Sequence, residues 1–368
     1  ASRVVATLVC NDYYTLCVSY EGHISWFGFC FHINQSISGL ENIISITGTH
    51  HILCLSKDGN VFPFGNNNYG ELGLGKDVSG DSEFQKIDLP PIKQICCGEY
   101  FSICLSDNGT LYSFGNNDYG QLALFMKKDY YLPKNITYLK GIEFVECGYG
   151  HVCCKSVDGS IYCWGKNEHG ELGIKTLQNQ LKPYKCKEWP NDVVDIKCGF
   201  NHTIVLTESQ KVYSCGNNAY NQLGRVTDTF YSSLLHPIEE LSDIIRIECG
   251  YRHSSCIDIN NDLYVFGDNQ FGQLGLGDID NRIKPIKHPS LSNIIDISKG
   301  GNQTFVKTSN NEIYAFGSNC FLESGVSKFS QLDQGIEDDY QVTPIQVFKG
   351  EEHIWYSHIS KAKSARFI

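Results

Sequence analysis

The chain has 368 residues, 41% of them hydrophobic and 19% charged, with 35 glycines, 12% aromatics and a single methionine. This length admits one large domain or two to three ordinary ones, and the composition favours strands joined by tight turns over helices. A formal net charge of -11 excludes a generally basic nucleic-acid surface, and no apolar run approaches the roughly 18 residues of a membrane span or reads as a secretory signal.

The predicted elements repeat. A degenerate copy, CNDYYTLCVSYEGHISWFG, opens the chain, followed by TGTHHILCLSKDGNVFPFGNNNYGELG and CGEYFSICLSDNGTLYSFGNNDYGQLA. The clearest copy, CGYGHVCCKSVDGSIYCWGKNEHGELG, runs from Cys147 to Gly173. Then come CGFNHTIVLTESQKVYSCGNNAYNQLG, CGYRHSSCIDINNDLYVFGDNQFGQLG and KGGNQTFVKTSNNEIYAFGSNCFLESG. The leading glycines (Gly48, Gly98, Gly148, Gly199, Gly250, Gly300 and, in a partial unit, Gly350) are 50 or 51 residues apart. Each full unit spans 17 residues from that position to a second glycine, as Asn11 to Gly28 also does.

Within a unit, Val152–Ser156 and Ser160–Trp164 are short β-prone runs around Asp158-Gly159. Matching pairs are Glu21-Gly22, Asp58-Gly59, Asn108-Gly109, Asn260-Asn261 and Asn310-Asn311, the chemistry of a two-residue hairpin with both residues at positive φ. Ser209-Gln210 departs from it. A further strand precedes each unit, as in Ile142–Cys147 and Ile244–Cys249. Units this small cannot bury both sheet faces alone, so they must pack on one another, and blades around an axis do that. The expected fold is an all-β, seven-bladed propeller of about 50-residue repeats over 1–353, with 354–368 an extension or closing strand. Only 20 residues separate Gly28 from Gly48, so the first blade should be short.

Cysteines recur at fixed repeat positions (Cys10, Cys97, Cys147, Cys198 and Cys249; Cys17, Cys54, Cys104, Cys154 and Cys256), which suits small buried hydrophobes. No C-x-x-C occurs, so reduced cysteines and a cytoplasmic or nuclear home are expected.

The FG-x-N-x-x-G-x-L-G pattern, preceded by C-G-x-x-H, resembles the regulator of chromosome condensation family over about residues 4 to 353. The resemblance implies a seven-bladed propeller. It also implies a candidate activity, because the family's founding member is a guanine-nucleotide exchange factor for the small GTPase Ran. That member uses acidic corner loops and a wedge between blades. Here Glu99 and Asp12 are the acids at matching corners, while the 33- or 34-residue spacings leave little room for a wedge outside Phe125–Pro133. Propellers of this family also occur beside ubiquitin-ligase, kinase or lipid-binding domains, and the Ala1 start suits a module cut from a larger protein.

Other motifs have plainer readings. Gly70–Lys76 matches a phosphate-binding loop up to Asp77, but no helix is predicted to follow, and GQLGLGD repeats the same glycines at Gly272–Asp278. His51, His151, His202, His253 and His353 occupy one repeat position on different units, so they are expected to bond nearby backbone rather than share a metal. Asn67, Asn117, Asn167, Asn218, Asn269 and Asn319 are expected turn formers. No catalytic constellation and no cofactor motif is found, so an enzyme is not expected.

Residues the repeat leaves free lie between the glycine and the histidine, at a blade corner. They read Asp12-Tyr13, Thr49-His50, Glu99-Tyr100, Tyr149-Gly150, Phe200-Asn201, Tyr251-Arg252 and Gly301-Asn302. Aromatics and Arg dominate binding hot spots. The candidate partner-binding residues are therefore Asp12, Tyr13, Glu99, Tyr100, Tyr149, Phe200, Asn201, Tyr251 and Arg252. The alternative is that the aromatics merely cover neighbouring blades. The expected partner is a protein, with a small GTPase as one candidate; neither direct DNA binding nor a membrane is expected.

Overall fold

The computed structural model describes residues 7–10, 14–18, 22, 24–28, 40–78, 85–318 and 340–348. Every regular element among them is a strand. Blade 1 consists of Ile43–Gly48, His51–Ser56 and Val61–Gly65. Blades 2 to 6 add a fourth, outer strand: Tyr130–Asn135, Gln180–Lys185, Tyr231–Pro237, Arg282–Lys287 and Tyr340–Phe348. Their inner strands are Ile92–Cys97, Ile142–Cys147, Val193–Cys198, Ile244–Cys249 and Ile294–Lys299. All pairings are antiparallel, and each blade is made of strands consecutive in sequence.

The expectation of seven blades is corrected to a six-bladed propeller. The degenerate opening copy builds only a small sheet, Thr7–Cys10, Tyr14–Val18 and Ile24–Gly28, whose first strand lies between the inner strands of blades 1 and 6. The reason is length: the 20 residues from Gly28 to Gly48 cannot hold both the G-x-L-G loop and an outer strand. The proposed extension at 354–368 lies outside the described residues, and no described sheet mixes strands from the two ends of the chain.

The core lies between neighbouring sheets. Phe101, Ile103 and Leu105 of blade 2 pack with Ile142, Val145 and Trp164 of blade 3. Leu53 and Val61 of blade 1 meet Ile92 and Phe114 of blade 2 in the same manner. Burying side chains of this size contributes roughly 1.5–3 kcal/mol each, so each blade is stable only with a neighbour on its face. Thirteen of the described cysteines are free thiols and buried, several of them within these layers.

Hairpin chemistry differs from the expectation. Gly59, Gly109 and Gly159 have φ of 77 to 83°, but the preceding Asp58, Asn108 and Asp158 are not at positive φ. Gly59 N–H donates to the Ser56 carbonyl at 2.9 Å and Ser56 N–H to Asn60. The loop is thus three residues closed by one left-handed residue, which lets Gln210 (φ 61°) fill the last position.

Each G-x-L-G loop is a scaffold. Asn167 Oδ1 accepts from Leu172 N–H at 3.0 Å, while its Nδ2 donates to the Thr176 carbonyl at 2.7 Å. Asn67, Asn117, Asn218 and Asn269 repeat this double engagement. The turn-forming role therefore extends across the whole loop; Asn319 lies outside the described residues. The loop then reaches onto the next blade's outer strand. Gly75 N–H donates to the Tyr131 carbonyl, Phe125 N–H to Leu181, Lys175 N–H to Ser233 and Gly277 N–H to Val342. In the Gly70–Lys76 segment the Gly75 N–H is thus committed to protein, and Lys76 lies over the Tyr131 ring, 5.9 Å from its centroid.

Candidate functional site: the rim of the central channel

The inner strands surround a channel of about 390 Å³. Strand alternation aims Glu146, Lys197 and Glu248 into it from blades 3, 4 and 5. Lys197 Nζ is 4.0 Å from Glu146 and 3.9 Å from Asp195, and Arg246 pairs with Asp296 at 2.5 Å. Burial pushes the Glu146 carboxyl up to about 8 against the opposing pull of Lys197, and neighbouring acids, Glu146 foremost, hold the Lys197 ammonium above its ordinary value. Both side chains keep 24% exposure to the channel, so water moderates these shifts. Sequence reasoning missed this charged ring. Its signal was the charged residue just before Cys147, Cys198 and Cys249, a pattern that Cys97, preceded by Cys96, does not share.

The corner loops rim the channel mouth, and backbone hydrogen bonds lock them into an arc. Glu99 N–H donates to the Tyr149 carbonyl (3.1 Å), Phe200 N–H to Tyr251 (3.0 Å) and Tyr251 N–H to Gly301 (3.0 Å). Thr49 Oγ1 lies 2.7 Å from the Gly98 carbonyl. On this frame the Tyr149 and Phe200 rings lie 4.0 Å apart, and Phe200 meets Tyr251 edge-on at 5.6 Å. Tyr100 stacks on His50 at 4.7 Å, and Glu99 lies 3.7 Å from that histidine. The Lys166 ammonium lies 5.1 Å from the Tyr149 ring centroid, and the Arg252 guanidinium covers Tyr220 at 4.3 Å. Burial, then the bond to Glu99, raises the Tyr149 phenol.

The structure thus brings Glu99, Tyr149, Phe200 and Tyr251 together around the channel mouth. Tyr100, Asn201 and Arg252 occupy the same corners, and all seven side chains are half-buried. Asp12 and Tyr13 lie outside the described residues. Each of these aromatic rings touches a neighbour and is half-buried. No grouping of three or more His, Cys, Asp or Glu side chains suited to a metal occurs among the described residues.

The repeat histidines differ from expectation. Their Nε2 atoms meet a hydroxyl of the next blade, not backbone: His51 to Ser102 (2.7 Å), His151 to Thr203 (3.0 Å), His202 to Ser254 (2.9 Å) and His253 to Thr304 (2.8 Å). Each hydroxyl spends its single proton on a carbonyl of the preceding blade's loop, as Thr203 does on Glu171 at 2.8 Å. The imidazole must therefore donate through Nε2. The ring lies over the repeat glycine: a Cβ on Gly148, Gly199 or Gly250 would sit 2.1–2.2 Å from the Cε1 of its own unit's histidine. His353 lies outside the described residues.

Comparison with known proteins agrees with this architecture. The family model described as the RCC1-like domain matches residues 139–362, more than half of the chain. The regulator of chromosome condensation (RCC1) repeat matches 58–105, 92–121 and 108–154. The human X-linked retinitis pigmentosa GTPase regulator is 40% identical over 103 residues, 27% of this chain and 10% of that protein. The human RCC1-like G exchanging factor-like protein is 34% identical over 101 residues, 26% of this chain and 22% of its own length. The matches thus span only a tenth to about a fifth of these relatives. Yeast RCC1 (Prp20), solved bound to Kap60, superimposes with a TM-score of 0.73 at 21% identity over 83% of this chain and 75% of that one, a likeness of fold alone. With its repeat, its blade architecture and its cross-blade loops all in agreement, the chain belongs to the RCC1-like domain family.

Proposed function

We propose that this propeller is a non-enzymatic docking module that binds protein partners through the rim of corner loops. The observation that carries the reading is the arc of Tyr149, Phe200 and Tyr251. These aromatics are held on a hydrogen-bonded backbone arc and half-exposed beside a charged channel. Rigid aromatics lose little entropy on binding and dominate hot spots. Support for protein partners comes from the yeast relative, whose structures are described as bound to Kap60 and in terms of binding to Gsp1p and histones. A cytoplasmic or nuclear location and a place within a larger protein accompany this reading. No described helix is long and apolar enough to cross a membrane.

The test is a pair of variants, Tyr149→Ala and Tyr251→Ala, in a chain whose folding is checked by circular dichroism. A partner retained by the intact chain should bind either variant with a loss on the order of 2 kcal/mol. Undiminished affinity in both folded variants sinks the proposal.

A second reading, exchange activity on a Ran-type GTPase, is favoured by Glu99 at the rim and by the relative named as a G exchanging factor-like protein. An exchange factor binds the nucleotide-free GTPase more tightly than the loaded one, and linkage then weakens nucleotide binding. Titrating the chain into GTPase loaded with fluorescent GDP decides it: saturable acceleration of release establishes exchange, and an unchanged rate removes that GTPase as a substrate.

A further inference from the structure

The outer rim of blades 2 and 3 carries a charge opposite to that of the molecule. In a chain of net charge -11, segments 125–140 and 175–188 hold eight lysines, two acids and no arginine. Lys127, Lys128, Lys134 and Lys140 come from blade 2, and Lys175, Lys182, Lys185 and Lys187 from blade 3. All eight are exposed. The two segments adjoin, because Phe125 N–H donates to the Leu181 carbonyl at 3.3 Å.

Apolar side chains stand among these lysines. Phe125 is 57% exposed and Met126 60%, with Leu132 and Leu177 also outside. The Phe125 ring meets another exposed ring, Tyr138, edge-on at 4.9 Å. Its backbone is left-handed, at φ 66°, where two other copies place Gly75 and Gly277. A bulky residue is held there against its backbone preference, and at 57% exposure the ring recovers little burial in return.

We propose that this rim is a peripheral attachment surface for anionic lipid bilayers. Exposed Phe, Met and Leu beside lysines are what an interface of acyl chains and anionic headgroups accepts. The exclusive use of lysine suits a diffuse negative field better than the bidentate phosphate contacts for which arginine is the better donor. Two features disfavour a docked peptide. Pro133 and Pro183 lie in the outer strands and remove donors that strand addition would use. Two cavities among the described residues, the channel and a cleft of about 710 Å³ near Arg225 and Lys284, include none of these residues. The expectation of no membrane rested on the lack of a spanning segment, which does not bear on surface attachment.

The experiment is vesicle co-sedimentation of the full chain. Vesicles of phosphatidylcholine alone are compared with vesicles containing about a third phosphatidylserine, at low salt and at about 0.5 M salt. The chain should sediment with the anionic vesicles at low salt only. The triple variant Lys127→Glu, Lys128→Glu, Lys182→Glu should lower partitioning at least about tenfold. Phe125→Gly, which the left-handed backbone accepts, should weaken it with unchanged circular dichroism and a melting temperature no lower than that of the intact chain. No sedimentation of the intact chain, or equal sedimentation of the triple variant, overturns the proposal. Retention on a soluble polyanion (poly-glutamate or duplex DNA) without vesicle binding also overturns it and reassigns the rim to that class.

Discussion

His151 of blade 3 donates through Nε2 to Thr203 Oγ1 of blade 4 at 3.0 Å, and Thr203 returns its proton to the Glu171 carbonyl of blade 3 at 2.8 Å. One buried hydroxyl therefore closes two hydrogen bonds across a blade boundary. Thr203→Val keeps the shape and orphans a donor and an acceptor. Each costs roughly 1–3 kcal/mol when buried, so the urea midpoint should fall clearly, and Thr203→Ser should recover most of the loss. Equal midpoints for the Val variant and the intact chain would show that the bridge contributes nothing.

The repeat glycine before each histidine makes room for the imidazole. At Gly250 an added Cβ would lie 2.1 Å from His253 Cε1, whereas at Gly159 it would meet nothing within 4 Å. Gly159→Ala should cost only its left-handed strain at φ 83°, on the order of 1 kcal/mol. Gly250→Ala must displace a buried ring and should cost about 1–3 kcal/mol more. Thermal melts of the two variants compare them directly.

Burial lowers the imidazole of His51 to about 3 and that of His288 to about 4, and lowers His151 as well. A depressed histidine pKa means that the unfolded chain takes up protons first as pH falls through about 6.5. These groups therefore leave stability level above pH 7 and reduce it progressively below. Glu146, raised to about 8, acts in the opposite sense: its unfavourable contribution is largest above pH 8 and disappears towards 4.5. Three buried rings outweigh one carboxyl with channel access, so the urea midpoint should be lower at pH 5.5 than at pH 7.5. Glu146→Gln should steepen that dependence, and a variant with the intact chain's slope would refute the assignment.

Gln210 holds φ 61° in a hairpin where four other units place glycine. Gln210→Gly relieves that conformation and should stabilise the protein by roughly 0.5–1 kcal/mol, despite the greater freedom glycine gives the unfolded chain. A lower melting temperature would mean that the Gln210 side chain makes up for its backbone.

How much of this was legible in the sequence depended on what repeats. The 17-residue spacing located the hairpins, and the Gly-Cys register located inner strands such as Ile142–Cys147. The blade count failed at the one copy that departs from the pattern, because seven hairpins do not require seven full blades. The corner positions were legible as residues the repeat leaves unassigned. Their contacts were not, since the meeting of Tyr149 with Phe200 joins residues 51 positions apart. The histidine partners hid for the same reason: Thr203 sits one residue after His202 and looks, in sequence, like any strand threonine.

In blades 1, 2, 3 and 5 the loop fastens onto the outer strand of the blade made after it, as Lys175 N–H does on the Ser233 carbonyl at 2.9 Å. The lapping runs one way, like shingles laid from the N-terminal end. A ribosome delivers the chain in that same order, so each of these four nascent blades waits with its last loop unanchored until its successor emerges. Synthesis paused between two units would expose that loop, along with the sheet face it leads to, and a chaperone that covers one such face at a time would suffice to escort the whole ring.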